Sequence, residues 1–393
     1  MLSKIVPVLL AITSPVFAAT PPPLVVHEWG TFTSMVGSDG KRLTGMHHEE
    51  VGLPGFVYNL GKEQTGLSLL DHGQGCKGHR CADVPLSFHE VIPGTPFDFG
   101  VTQKMETPVL YFYGAEGTQV HVSVDFPQGA ISQWYPRASR FVQHTRLNAG
   151  GIDWNATLMK PDSGGLPRTL STSIWNPARE VPEANVLSVG AERERFLFYR
   201  GLADFELPIE VALDQENGPA ITYSYRDPAL PEFSGFFVDV KPGGQVQWTA
   251  VTFPRGAGRR LISKVAVDTG SQGIGAALVS ELARAGLTGP EARAMVKTWN
   301  ASYFKTSGPR LLLLMPRAWT DQILPIRITP TPSELSRVLV ARVELLGRGD
   351  EQKVLDSVSA GASDSEPKLR RALMLTKEPK IQARLRELIE SAR

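Results

Sequence analysis

Several common signals are missing from this chain of 393 residues. It has only two cysteines, so at most one disulfide can form within it. There is no Cys-x-x-Cys-His stretch, which removes covalently attached haem, and no His-Glu-x-x-His, which removes the zincin motif. No Gly-x-Ser-x-Gly elbow or Ser-His-Asp order is present either, which takes away the serine-hydrolase signature. Beyond the first residues the longest purely apolar run is Leu311 to Met315, far short of the roughly twenty residues of a membrane-spanning helix. A charge excess is absent as well: 41 basic residues face 40 acidic ones. That balance argues against nucleic acid or an anionic membrane surface as a partner, because both favour a basic stripe.

The start of the chain explains the one leftover charge. Lys4 precedes an apolar stretch from Ile5 to Ile12, and Val16 and Ala18 supply small residues at −3 and −1. This is the layout of a secretory signal peptide, with cleavage expected after Ala18. Removal of residues 1–18 leaves a neutral, exported chain that is periplasmic or extracellular, with no membrane contact expected after cleavage.

Glycine and proline, 37 and 30 of them, favour many short strands joined by turns. Val120 to Phe126, Ile209 to Leu213, Ile221 to Tyr225 and Val246 to Val251 each alternate with period two, as strands with one wet face do. The expected class is mainly β with α additions: an antiparallel, β-sandwich-like core over 105–346, preceded by an irregular layer over 19–104. "ETPVLYFYG" (106–114) and "ERFLFYRG" (194–201) echo each other and suit two similar strand-turn-strand units, such as two halves of one sandwich. Within the core a helical hairpin is expected at 272–304. Ile274, Leu278 and Leu282 share a helical face, and Thr288 with Glu291 matches a capping box. "RLLLLMP", "ILPIRI" and "RVLVARVELL" read as strands, and 347–393 as a C-terminal helical segment. "KVAVDTGSQGIGAAL" (264–278) resembles the opening of short-chain dehydrogenases, but its glycine spacing is one residue short and no Tyr-x-x-x-Lys follows. A glycine-rich entry to a helix accounts for it.

All eight histidines and both cysteines fall between residues 27 and 144, so imidazole chemistry belongs to the first third. His47 and His48, with Glu49 beside them, could hold an ion such as zinc or copper, and His27-Glu28 repeats the residue pair. In that reading His27, His47 and His48 bind metal and Glu49 moves protons. Solvated loop histidines paired with local acids are the competing account. "DHGQGCKGHRC" (71–81) carries Cys76 and Cys81, read as a disulfide in an exported protein, against a metal site with His72 and His79 or free thiols. Trp134 and Tyr135 could stack on a sugar ring while Arg137 takes a carboxylate, or they could be core residues of a sheet.

"HEWGTFTS", "ETPVLYFYG" and "SQWYPRA" resemble a group of exported bacterial proteins. The resemblance covers most of the mature chain and implies its destination and domain layout, not its chemistry. The sequence therefore predicts an exported β-rich protein that binds a metal ion or a small or saccharide ligand, with a metal-dependent hydrolase as the alternative. A third account is an interaction protein that works through its C-terminal helices.

Overall fold

The computed structural model describes residues 22–43, 52–59, 101–142, 147, 149–214, 219–347 and 349. The first part of the chain holds β1 (Val25–Val36), β2 (Tyr58–Asn59), β3 (Gln103–Tyr113), β4 (Gln119–Phe126), β5 (Gly129–Tyr135) and β6 (Arg140–Val142). Next come β7 (Gly150–Met159), the short helix α1 (Trp175–Ala178), β8 (Val186–Val189), β9 (Glu192–Glu194) and β10 (Leu197–Ala203). These lead to β11 (Ile209–Asp214), β12 (Ala220–Tyr225), β13 (Phe233–Val240), β14 (Gln245–Phe253), β15 (Ala257–Leu261) and β16 (Ala266–Thr269). The last part is α2 (Gln272–Arg284), α3 (Gly289–Phe304), β17 (Gly308–Leu314), α4 (Arg317–Ile323), β18 (Ile326–Thr329) and β19 (Glu334–Leu345).

The protein is mainly β with helical additions. A ten-stranded sheet runs β16-β14-β13-β17-β19-β1-β3-β10-β5-β2. A second sheet runs β18-β4-β7-β8-β9, with β6 also paired to β7, and a third is β11-β12-β15. Among the described residues every pairing is antiparallel except β1 with β19. One face of the large sheet packs on the second sheet, where Trp154 of β7 meets Tyr199 of β10. The other face carries α1 and the α2–α3 hairpin, through Trp175 against Phe198 and Tyr303 against Thr31.

The alternating stretches become β4, β11, β12 and β14, and the hairpin forms where its apolar spacing places it. Thr288 accepts from the Glu291 amide while the Glu291 carboxylate accepts from the Thr288 amide, the reciprocal bonds of a capping box. Three elements depart from expectation. "ILPIRI" is split, since Ile323 ends α4 and only Ile326–Thr329 is a strand. The echoing segments are not opposite halves of a sandwich: they lie on β3 and β10, side by side in one sheet. Residues 25–36 are not part of an irregular layer but form β1, near the middle of the large sheet. Eleven of its twelve residues are buried. A strand covered on both faces has no wet side, so its polar residues do not alternate with apolar ones.

The segment 264–278 forms a strand, a turn at Gly270 and a helix, but its strand pairs antiparallel with β14. The Asp268 carboxylate accepts from the Ile274 amide and from the Trp248 indole, both at 2.9 Å. The protein's own anion thus sits where a dinucleotide phosphate would lie, at the start of α2.

Candidate functional site

Among the described residues, two arrangements are candidates for a site. The first begins at β1. His27 lies beside Tyr111 of β3 and Ser336 of β19, on the face covered by α3. Its Nδ1 meets the Glu291 carboxylate at 2.9 and 3.1 Å, and the Tyr113 hydroxyl donates to the same carboxylate at 2.5 Å. The buried Glu291 therefore caps α3 and fastens the hairpin to the sheet. Burial alone would push the His27 pKa down, but the Glu291 hydrogen bond and charge, with Glu334 adding to them, hold it above the ordinary value. Burial would raise the Glu291 pKa, yet the His27 contact, the Tyr113 hydroxyl and the Thr288 amide hold it low. His27 Nε2 has no hydrogen-bond partner among the described residues and lies 3.6 Å from the Glu334 carboxylate.

Of the expected metal set only His27 can be located. His47, His48 and Glu49 lie outside the described residues, as do Cys76 and Cys81. Among the described residues no three His, Cys, Asp or Glu side chains are grouped to hold a metal ion.

The aromatic pair expected to meet a sugar is turned inward. Trp134 is 1% exposed and stacks on Phe141 at 4.2 Å; Tyr135 is 3% exposed against Phe56 and Trp175. Arg137 is exposed, and its amide donates to Glu192 at 2.6 Å. The two rings are core residues here and present no open face to a ligand. Consecutive residues of a strand point to opposite faces, so Trp134 packs toward Phe141 and Tyr135 toward Trp175, and these rings fill the space a ligand would need.

The second arrangement is a cleft of about 670 Å³ between the end of β1 and the three-stranded sheet. After β1 the chain turns at Gly37 to Gly40, where Gly40 adopts φ +78°, and returns so that Arg42 bridges to Val36. Arg42 Nη1 donates to Thr102 Oγ1 at 2.6 Å, the Phe205 carbonyl at 2.8 Å and Asp204 at 3.1 Å. Its Nη2 reaches Glu206. Glu206 also accepts from Arg226 at 2.8 Å, and Arg226 pairs with Glu210. The result is an alternating row, Asp204–Arg42–Glu206–Arg226–Glu210, along one wall. Val36, Leu207 and Val211 supply apolar surface, and Tyr223 a ring.

The carboxylates of this row are about half exposed. Ion pairs in such positions contribute little stability, so a ligand can exchange into them at small cost. The row offers donors and acceptors a few ångströms apart in fixed order, and the volume is that of an ordinary small-molecule site. No local spacing could have revealed it, because the cleft is lined from five separate stretches between Ser34 and Val343. Neither a family model nor a curated protein matches the chain.

Proposed function

We propose that this is an exported binding protein that takes a small, hydroxyl-rich ligand of saccharide type in the cleft beside Arg42. The observation that carries the reading is the alternating row of guanidinium and carboxylate groups along a cleft of ligand size. Vicinal hydroxyls both donate and accept, and a row of alternating acceptors and donors satisfies both roles at once. The Tyr223 ring and the apolar residues beside it suit the C–H face of a sugar. Export rests on the sequence of residues 1–18, and the mature protein is expected to begin at Ala19 when its N-terminus is sequenced.

The test is a thermal-shift screen of mono- and disaccharides at millimolar concentration, followed by calorimetry on hits. A ligand at about a hundred times its Kd stabilises the fold by roughly 2.7 kcal/mol, a readable rise in Tm. Arg226→Ala removes a donor from the row and is expected to weaken binding at least ten-fold. Absence of any shift across the panel defeats the reading.

A second reading keeps the metal, as a bound ion or as the centre of a hydrolase. Its support is His27, whose Nδ1 is held by a buried carboxylate while the buried Nε2 has no hydrogen-bond partner among the described residues. That is how histidine ligands are commonly oriented. The raised His27 pKa works against it, since a ligand imidazole must be neutral. His47 and His48 would complete the set, with Glu49 as the base. Near-stoichiometric zinc or copper in protein purified without chelator, lost in His47→Ala with His48→Ala, supports this reading. A folded, metal-free protein removes it.

A further inference from the structure

The near-neutral charge of the chain conceals an uneven distribution. From Pro254 to Val267 there are four cations, Arg255, Arg259, Arg260 and Lys264, and no acid. This stretch leaves β14, forms β15 at the edge of the three-stranded sheet, and enters β16 at the edge of the ten-stranded one. Every residue of β15 is exposed. The stretch also holds Leu261, Val265 and Val267, which are 56, 38 and 54% exposed. Among the described residues only one other large hydrophobic side chain, Leu170, is comparably exposed. The three lie within six residues of one another, a span of at most about 20 Å even if the chain were fully extended.

Three of the four charges on this strip are also without an ion-pair partner among the described residues. Arg259 pairs with Asp214 at 2.6 Å, but Arg255, Arg260 and Lys264 are exposed and form no ion pair with any described residue. On β16 the side chain of Asp268 is committed to Trp248 and the start of α2, so it does not neutralise its neighbours. Val267 alternates with it on β16 and points to the opposite face of the strand.

We infer that the 254–267 strip is a docking surface for an anionic lipid bilayer. Exposed aliphatic side chains flanked by unpaired cations are what an interfacial contact uses: the apolar groups enter the headgroup boundary while the cations stay at the phosphate level. Charge complementarity favours a lipid surface over a further copy of the chain, whose own strip would repel it. Each cation held near such a surface strengthens binding about five-fold, so three give an effect on the order of a hundred-fold at low salt. The alternative role of these cations is to guard two open sheet edges against strand addition.

Co-sedimentation of the mature protein with phosphatidylcholine vesicles, with and without phosphatidylglycerol, separates the two. The protein is expected to sediment with the anionic vesicles at low salt and to be released at high salt. Arg260→Glu combined with Lys264→Glu is expected to reduce binding more than ten-fold. Leu261→Ser with Val267→Ser should reduce it several-fold and leave the salt dependence in place. Unchanged melting temperatures establish that these surface variants are folded. No binding to anionic vesicles at low salt, or equal binding by the variants, overturns the inference and leaves the cations as edge guards. Retention on an acidic peptide resin without vesicle binding also overturns it, and assigns the strip to a protein partner.

Discussion

β1 and β15 are both strands that carry polar and charged residues, yet they sit at opposite extremes of exposure. In β1, Glu28 accepts from Arg337 at 2.6 Å and from Tyr199 at 2.5 Å, and Thr33 donates to Glu106 at 2.6 Å. Thr31 bonds Tyr303, and His27 bonds Glu291. In β15 only Arg259 has an ion-pair partner among the described residues. A buried charge must be answered from within the protein, whereas an exposed one can remain available to something outside it. The polar residues of β1 therefore specify how the fold is assembled, and those of the 254–267 strip specify what the surface can meet.

The largest expected effect of breaking this contrast is at Arg337. Its side chain and that of Glu28 are both fully buried, so Arg337→Ala leaves a carboxylate without its countercharge. A loss of roughly 3–5 kcal/mol is expected in urea unfolding. A loss below about 1 kcal/mol would mean that β1 is not held by its ionic partners.

A smaller effect is expected at the hairpin. Glu291→Gln keeps the shape but weakens the bond to His27 and is expected to cost about 1–3 kcal/mol. It should also change the pH profile, measured with a chelator present. Because the folded-state pKa of His27 is raised, its share of stability is complete below about 6.5 and is lost as pH rises through the folded value. The lowered pKa of Glu291 acts in the other direction: its share is present above about 4.5 and is lost as pH falls through the depressed value. The parent protein should thus be most strongly latched between those limits, and Glu291→Gln should flatten the decline on the alkaline side. An identical profile in both proteins would show that the latch does not titrate.

The smallest effect sharpens the comparison from the other end. Arg260→Glu is expected to shift stability by no more than about 0.5 kcal/mol, because nothing within the fold depends on it. A loss above 1 kcal/mol in urea would reveal an internal role for the strip.

What could be read from the sequence follows from the range of the signals. Elements whose periodicity reports one wet face were legible: β4, β12 and β14 alternate, and α2 and α3 show their apolar stripe and capping box. β1 was not, because a strand with two dry faces loses alternation, and its polar partners Arg337, Glu291 and Tyr199 lie well over a hundred residues away. Glu291 was visible as a cap, but its hold on His27 was not. The cleft was illegible for the same reason, since Arg42, Glu206 and Arg226 carry no mutual spacing. Trp134 shows the converse: an aromatic on a strand offers the same pattern whether it faces a ligand or a neighbouring ring. The neutral total charge was a true sum that said nothing about where Arg260 and Lys264 stand.

The parallel pairing of β1 with β19 sets Val25 beside Glu334 and Val36 beside Leu345. β1 must therefore wait for a strand that follows it by some three hundred residues. A ribosome or an export channel delivers the chain from its N-terminal side, so the centre of the large sheet cannot close until β19 has emerged. Contacts of such long sequence separation slow folding, and the loop they close spans some three hundred residues. Meanwhile the edge of β1 that β19 will cover stays open to other chains, while its other edge can already pair with β3. For a protein read as exported this delay has a use: a chain that cannot finish folding early stays threadable until it has crossed.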